Sequence, residues 1–315
     1  MNINYTQDRM KILVTGGAGF IASQIVDAYM AEGHNVTIID DFSTGFEENL
    51  NPAAKFVKLS ISDPGIIDVF KKGKFDLVNH HAAQIDVRKS VADPMFDASI
   101  NILGTINLLQ SCVKTGVKKI IFSSTGGAIY GEQECFPADE AHPTSPISPY
   151  GITKLTIEKY LYFYHLEHKL HYTILRYANV YGPRQNPFGE AGVVAIFANK
   201  LLKSEQPVIN GSGEQTRDYV FVDDVVKANL LALKDEQSDI YNVGTAIETN
   251  VNVIYKILND TIGKGQEEKH GPAAQGEQMR SVIISEKLYK KFNWKPATPL
   301  REGLEKTADY FRNKT

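Results

Sequence analysis

The sequence predicts an α/β chain: an open, doubly wound parallel sheet with helices on both faces, and a smaller α/β C-terminal lobe. Three observations predict it. Short apolar runs alternate with helical patterns along the first 180 residues. The runs are continuous, as befits strands covered on both faces, and do not alternate as half-exposed strands do. The first run ends in glycines that open a helix, the start of a repeating β-then-α pattern.

In chain order, residues 11–15 form the first strand and 20–32 a helix. Strands are expected at 35–40, 56–59, 75–79, 118–123 and 172–177, with long helices at 97–114 and 149–168. After Tyr181 glycines and prolines cluster at 182–192 and 207–213, which marks a second lobe. The run Asp218-Tyr219-Val220-Phe221-Val222 reads as a strand entering a helix and returning to the first lobe. The expected division is therefore 1–180, with 218–245 returning, for the first domain, and 181–217 with 246–315 for the second.

A chain of 315 residues with 43% hydrophobic content exceeds the ~250–300 residues at which one core stops growing, so a second lobe is expected. A net charge of −3 lacks the basic footprint of a nucleic-acid binder. The polar run Gln266-Glu267-Glu268-Lys269 reads as a solvated loop. Two cysteines, Cys112 and Cys135, imply no disulfide framework and suit a reducing compartment. The first nine residues have no apolar core of a signal peptide, and no stretch approaches the ~20 apolar residues of a membrane helix. A soluble, cytoplasmic protein is expected.

The first strand ends in Thr15-Gly16-Gly17-Ala18-Gly19-Phe20-Ile21-Ala22. Glycines let the backbone turn and approach a pyrophosphate, whose charge meets the unpaired N–H groups of the next helix. Such a unit needs a carboxylate about 20 residues on, at the end of the second strand, for the adenine ribose. Asp40 stands there, followed by Asp41. A carboxylate here repels a 2′-phosphate, which favours NAD over NADP. The first lobe thus reads as a Rossmann-type domain. Asp41 alternatively caps the turn at 42–45.

The second constellation is Ser148-Pro149-Tyr150-Gly151-Ile152-Thr153-Lys154. Ser148 suits an N-cap and Pro149 a first helical position. Tyr150 and Lys154 then share one helix face. A phenol with a pKa of ~10 is a poor base; an adjacent ammonium favours the phenolate and lowers that value. Such a pair alone is common by chance. Here it follows a dinucleotide loop and a strand ending in Ser123-Ser124-Thr125, whose hydroxyls are candidates to bridge substrate and tyrosine.

These ordered motifs resemble the extended short-chain dehydrogenase/reductases, and within them the UDP-glucose/UDP-galactose 4-epimerases, from Met10 nearly to the end. The resemblance is carried by 15–21, 40–45, His80-His81-Ala82-Ala83-Gln84, Asn101, 104–105, 123–125, 148–154, 175–184, 189–194 and 216–220. It implies a catalytic set of Tyr150, Lys154 and Thr125, with Tyr150 taking the proton of the sugar 4-hydroxyl. It implies that NAD lies along Gly16, Gly19, Phe20, Ile21, Asp40, Asp41, Ser60, Ile61, Ala82, Ala83, Gln84, Asn101, Ser123, Tyr150, Lys154 and Tyr177. A UDP-sugar substrate would meet Thr125, Asn179, Val193, Arg217 and Ser281. No metal is implied; a homodimer through the two long helices is.

The chain departs from the pattern in places. Ser60 stands where an aspartate is usual, the loop after Thr125 is one residue longer, and Ala274-Gln275-Gly276-Glu277 lacks a usual arginine. Related dehydratases and UDP-glucuronate decarboxylases carry acidic or Ser-Glu residues after the strand-end threonine, because expelling a hydroxyl needs an acid. Here Gly126 and Gly127 follow, which favours epimerisation. Ser281, where a large tyrosine limits the pocket in other epimerases, leaves room for an N-acetyl group. A non-catalytic NAD-binding regulator is the reading from another class; retention of Tyr150, Lys154 and Thr125 counts against it. Arg217 has an alternative as a surface partner of Asp218. His165, His168 and His171, and the aromatic set Tyr160, Tyr162, Phe163 and Tyr164, read as packing, and His80-His81 as structure near the cofactor.

Overall fold

The computed structural model describes residues 9–188, 192–273 and 278–314. A seven-stranded sheet dominates it. Its strands are β1 (Lys11–Thr15), β2 (Asn35–Asp40), β3 (Lys55–Lys58), β4 (Leu77–His80), β5 (Lys119–Thr125), β6 (His171–Tyr177) and, after β7 (Asn179–Tyr181), β8 (Ile209–Asn210) and β9 (Thr216–Phe221), the strand β10 (Asp239–Val243). The order across the sheet is β10-β6-β5-β4-β1-β2-β3, and every pairing in it is parallel. The order reverses between β1 and β4, where such sheets open a crevice for ligands beyond the carboxyl ends of their strands.

The helices are α1 (Phe20–Ala31), α2 (Ile66–Gly73), α3 (Val87–Ala92), α4 (Pro94–Ala98), α5 (Thr105–Thr115), α6 (Pro149–His168), α7 (Val193–Leu202), α8 (Val222–Leu233), α9 (Val251–Ile262), α10 (Glu286–Phe292) and α11 (Leu300–Arg312). Strand residues alternate between two cores. Ile12 and Val14 join Ile25, Tyr29 and Val225 on one face; Leu13 joins Phe70, Leu108 and Ile157 on the other. That is why the inner runs read as continuous: both faces of β1, β4, β5 and β6 are buried.

A third core gathers α7, α9 and α11 around Phe197, Tyr219, Tyr255 and Phe311. Beside it lies a four-stranded sheet of β7, β9, β11 (Glu248–Asn250) and β13 (Arg280–Ser281). The pair β8 and β12 (His270–Gly271) is separate.

Two expectations are corrected. The helix expected over 97–114 is continuous but not uniformly wound: α4 passes into a wider π turn at Ser99–Gly104 before α5. Asn101 sits in that turn and spends its amide on the β4 loop (below), and insertions of this kind recur at functional sites. The strand 216–221, expected to return with 218–245, pairs with β7, β11 and β13 in the smaller sheet. An apolar strand shows its burial in its sequence but not its partner. Only α8, packed on α1, and β10 rejoin the large sheet. Residues 189–191 and 274–277, including part of the 189–194 motif and the departure at 274–277, lie outside the described residues, as do the first eight. Among the described residues no helix is long and apolar enough to cross a membrane.

Candidate active site

The glycine loop sits where β1 meets the crevice. Gly16 has φ +72°, and a Cβ there would lie 2.8 Å from the Ala82 nitrogen and 3.0 Å from the His81 carbonyl carbon. Only glycine permits this closeness of the β1 and β4 ends. Gly19 caps α1 without any side-chain acceptor, so the first-turn N–H groups of Phe20 and Ile21 remain for an anion. Asp40, buried at the end of β2, accepts hydrogen bonds from the N–H groups of Ala18 (3.0 Å) and Phe42 (2.8 Å). Burial raises its carboxyl pKa, against those two bonds. The same carboxylate that faces the loop therefore shapes it. Asp41 is exposed and accepts from the Ser43 N–H at 2.9 Å; it caps the turn. These features suit a dinucleotide: a turn without side chains, a free helix start and an adjacent acid.

The tyrosine–lysine helix begins as its sequence suggests. The Ser148 hydroxyl accepts from the Gly151 N–H at 3.2 Å and Pro149 occupies the first turn. Lys154 is buried, and its ammonium donates to the Ser123 carbonyl oxygen at 2.8 Å, 4.9 Å from the Phe122 ring centre and 5.9 Å from that of Tyr150. Burial pushes its pKa down to about 8, against the opposing charges of Asp97 and Glu158. Tyr150 differs from the expectation that Lys154 would lower its pKa. Within the chain, burial first and Asp97 second hold the phenol above its ordinary range. Lys154 is turned toward β5, so the ammonium reaches the tyrosine only across its ring.

Thr125 ends β5 beside Tyr177 of β6. A Cβ on Gly127 would lie 3.3 Å from Asn179 Oδ1 and 3.8 Å from Thr125 Oγ1, so these two polar groups flank one small gap. On Gly126 a Cβ would lie 2.5 Å from Ile283 Cδ1; a side chain after Thr125 would have to displace Ile283. Ser281 is buried and in register with Arg217 across β13 and β9, so the two side chains leave the same face of the smaller sheet. The Arg217 guanidinium donates to the Thr216 carbonyl at 2.8 Å. Asp218, its alternative partner, is buried on the opposite face and accepts from the Thr245 N–H and hydroxyl and from the Ala246 and Ile283 N–H groups. Val193 begins α7.

Several expected cofactor residues are committed inside the protein. The Gln84 amide donates to the Asp86 carbonyl and to Asp97 and accepts from the Asp86 N–H. Asn101 accepts from the Gln84 N–H and donates to the Gln84 carbonyl, Asp97 and Thr153. Tyr177 is buried, its hydroxyl bonded to Asn229 and His81 and its carbonyl to the Gly126 N–H. The Ser123 hydroxyl donates to the His80 carbonyl. Ile61 is core, and its carbonyl accepts from Asn107; Ser60 turns its hydroxyl oxygen toward the Ser62 N–H at 3.4 Å. Ala82 and Ala83 line the loop that Gly16 abuts and are half-buried.

One residue central to the site was missed. Asp97 is fully buried, yet its partners are the neutral donors Gln84, Asn101 and Thr153, at 2.9 to 3.0 Å. It ties α4, the β4 loop and α6 together and acts electrostatically on both Tyr150 and Lys154. In sequence it looks like any helical carboxylate. His165 and His171 pack with tilted rings, bridged by the Ser238 hydroxyl, and no group of described residues is arranged to hold a metal ion.

The model of the NAD dependent epimerase/dehydratase family matches residues 12–244. The chain belongs to this family. A putative UDP-glucose 4-epimerase of Methanocaldococcus jannaschii is 45% identical over 96% of this chain and 98% of its own length. The crystal structure of a UDP-glucose 4-epimerase with UDP-glucose from Thermotoga maritima superposes with a TM-score of 0.95, 48% identity, and coverage of 97% and 99% of the two chains. The UDP-glucose 4-epimerase of Thermus thermophilus in complex with NAD gives a TM-score of 0.93 at 40% identity, covering 97% and 100%. Family membership makes NAD the cofactor, and the loop, helix start and Asp40 above are the residues that fit it.

Proposed function

We propose that this chain is an NAD-dependent UDP-sugar 4-epimerase that interconverts UDP-glucose and UDP-galactose. The observation that carries the reading is that Tyr150 and Lys154 share one stretch of α6, with Lys154 bonded to β5 at Ser123, two residues before Thr125, and that a glycine, not an acid, follows Thr125. The epimerases similar to this chain over nearly its whole length support it.

Tyr150 removes the proton of the sugar 4-hydroxyl and later returns one to the 4-keto oxygen. Thr125, and Asn179 across the gap, hold that oxygen and the adjoining phosphate side. Bound NAD supplies the acceptor, and then the donor, of the C4 hydride. Lys154 keeps a positive charge beside the phenolate that forms, a charge worth more in a buried site than in water. Nothing at 126 or 127 protonates a leaving hydroxyl, so the sugar keeps its 6-substituent. Arg217 and Ser281 line the sugar–diphosphate side, arginine because its fork matches phosphate oxygens, serine because it leaves space for an N-acetyl group. The residues of the 1–180 region hold the cofactor and supply Tyr150, Thr125 and Asn179 to the sugar, and those of the later lobe complete the substrate site. An exposed apolar set on α3 to α6, including Val91, Met95, Leu103, Ile152 and Phe163, suits a homodimer through the long helices. With both cysteines free, a cytoplasmic setting is consistent.

The test is incubation with UDP-galactose, UDP-N-acetylgalactosamine and UDP-glucuronate, with products read by chromatography and NMR. The expected product is the 4-epimer, with no net NADH and no loss of water or carbon dioxide. A 4-keto-6-deoxy sugar or a pentose would overturn the reading. Turnover of UDP-galactose with none of the N-acetyl sugar would remove the role given to Ser281.

A further inference from the structure

The first turn of a helix leaves its leading N–H groups without partners inside the helix, so their partners come from outside it. In α6 each of these groups has one. Pro149 has no N–H to satisfy. The Gly151 N–H donates to the Ser148 hydroxyl oxygen at 3.2 Å, and the Ile152 N–H donates to the Ser148 carbonyl at 2.9 Å. That leaves the N–H of Tyr150. It donates at 3.2 Å to the hydroxyl oxygen of Ser90, a residue of α3 that lies 60 positions earlier in the chain.

Ser90 is fully buried, and its oxygen is fixed from its own side. Its proton goes to the Val87 carbonyl at 2.6 Å, so toward Tyr150 the oxygen acts only as an acceptor. The start of α3 is anchored in turn. Asp86 caps it by accepting from the Lys89 N–H at 2.9 Å. The Gln84 amide holds Asp86 by its N–H at 2.7 Å and its carbonyl at 2.9 Å, and also donates to Asp97, the acceptor of the Thr153 hydroxyl. On the other side of the turn, Gly151 lies against the loop that follows Thr125. A Cβ there would sit 2.7 Å from the Ala128 carbonyl oxygen and 2.9 Å from Pro146 Cβ, so a glycine is what lets α6 come this close. The first turn of α6 is therefore held between α3 and the loop behind Thr125.

A helix start needs one good cap, and Ser148 supplies it. The bond from Ser90 is additional, and it falls on the one residue of the turn whose side chain reacts. Catalysis by a positioned base depends steeply on placement, with a misplacement of ~1 Å costing on the order of 10²-fold. A first turn that rocks away from α3 carries the phenol with it, while Lys154, one turn further in, stays bonded to the Ser123 carbonyl. We infer that Ser90 is a positioning residue for the catalytic tyrosine: its hydroxyl oxygen pins the backbone of Tyr150 to α3 and so sets where the phenol stands relative to Thr125. This rests on the proposed epimerase reading, in which Tyr150 moves the proton.

The test is steady-state epimerisation of UDP-galactose by the full chain and two variants, with NAD affinity from calorimetry and thermal unfolding as a check on folding. Ser90→Ala removes the acceptor. Ser90→Cys keeps the size of the side chain, but its sulfur is a weak acceptor. Both variants should lower kcat about threefold to tenfold, as the loss of one hydrogen bond predicts, with KM and NAD affinity within about twofold of the parent. A parent-like kcat in either variant, a KM or NAD affinity that worsens as much as kcat, or a loss of activity that follows unfolding overturns the inference, because each points to packing and not to placement of the phenol. A parent chain that epimerises no UDP-sugar overturns the proposed function and this inference with it; a parent that turns over and is matched by its Ser90 variants overturns this inference alone.

Discussion

Replacing Glu158 by glutamine tests how the catalytic helix is held. Glu158 on α6 and Arg176 on β6 are each 3% exposed. The guanidinium donates to the two carboxylate oxygens at 3.0 and 2.6 Å, and to the Tyr130 oxygen at 2.9 Å; Tyr130 in turn donates to Asn242 at 2.7 Å. The Ser124 hydroxyl of β5 donates to the same carboxylate at 2.6 Å. Burial opposes the Arg176 charge, but the bond and charge of Glu158 outweigh it and hold the guanidinium above its ordinary range. Glutamine keeps the shape and turns an amide N–H₂ toward an arginine donor. The guanidinium is then a buried charge without a counter-charge, which costs about 3–5 kcal/mol. At roughly 2 °C per kcal/mol for a chain of this size, the melting temperature falls by about 6–10 °C. Urea unfolding of Glu158→Gln, and of the double variant Glu158→Leu with Arg176→Met, measures this. The double variant should recover most of the loss, because removing both charges removes the unpaired one. A single variant that loses less than about 1 kcal/mol, or a double variant worse than the single one, would refute the reasoning.

Two further outcomes follow from the site. Lys154 is charged below its pKa of about 8, so turnover should fall about tenfold per pH unit above that value; because Asp97 raises the Lys154 pKa, Asp97→Asn should move this alkaline limb to lower pH, and a limb that stays or moves up contradicts the assignment. Gly16→Ala must place a methyl group 2.8 Å from backbone at φ +72°, with a left-handed cost of about 1–2 kcal/mol before the clash is counted; NAD affinity should drop more than about tenfold, and calorimetry showing unchanged binding would contradict the loop geometry.

The large sheet and the start of α6 were legible in the sequence because local chemistry decides them. Ile12 and Val14 point to one core and Leu13 to the other, so a run buried on both faces prints itself as an unbroken apolar string. Ser148 and Pro149 mark a helix start whatever surrounds them. The polar interior did not show, because its partners are distant in the chain. His81 meets Tyr177 across 96 residues and Asn79 meets Asn229 across 150; nothing near either residue signals the other. Gln84 and Asn101, read in the sequence as cofactor contacts, also bind within the protein. A motif records that polar side chains are required at those positions, yet it does not say whether they face the ligand or bind each other. Here both amides meet on Asp97, a carboxylate that nothing in the sequence singles out and the fold encloses completely. The π turn has the same origin: Asn101 reaches the β4 loop and Thr153 from within it, and helical periodicity carries no record of that reach. The parts of the site that remained hidden are therefore those where one buried charge is satisfied by neutral groups from three separate elements, and that same arrangement sets the charge beside Tyr150 and Lys154.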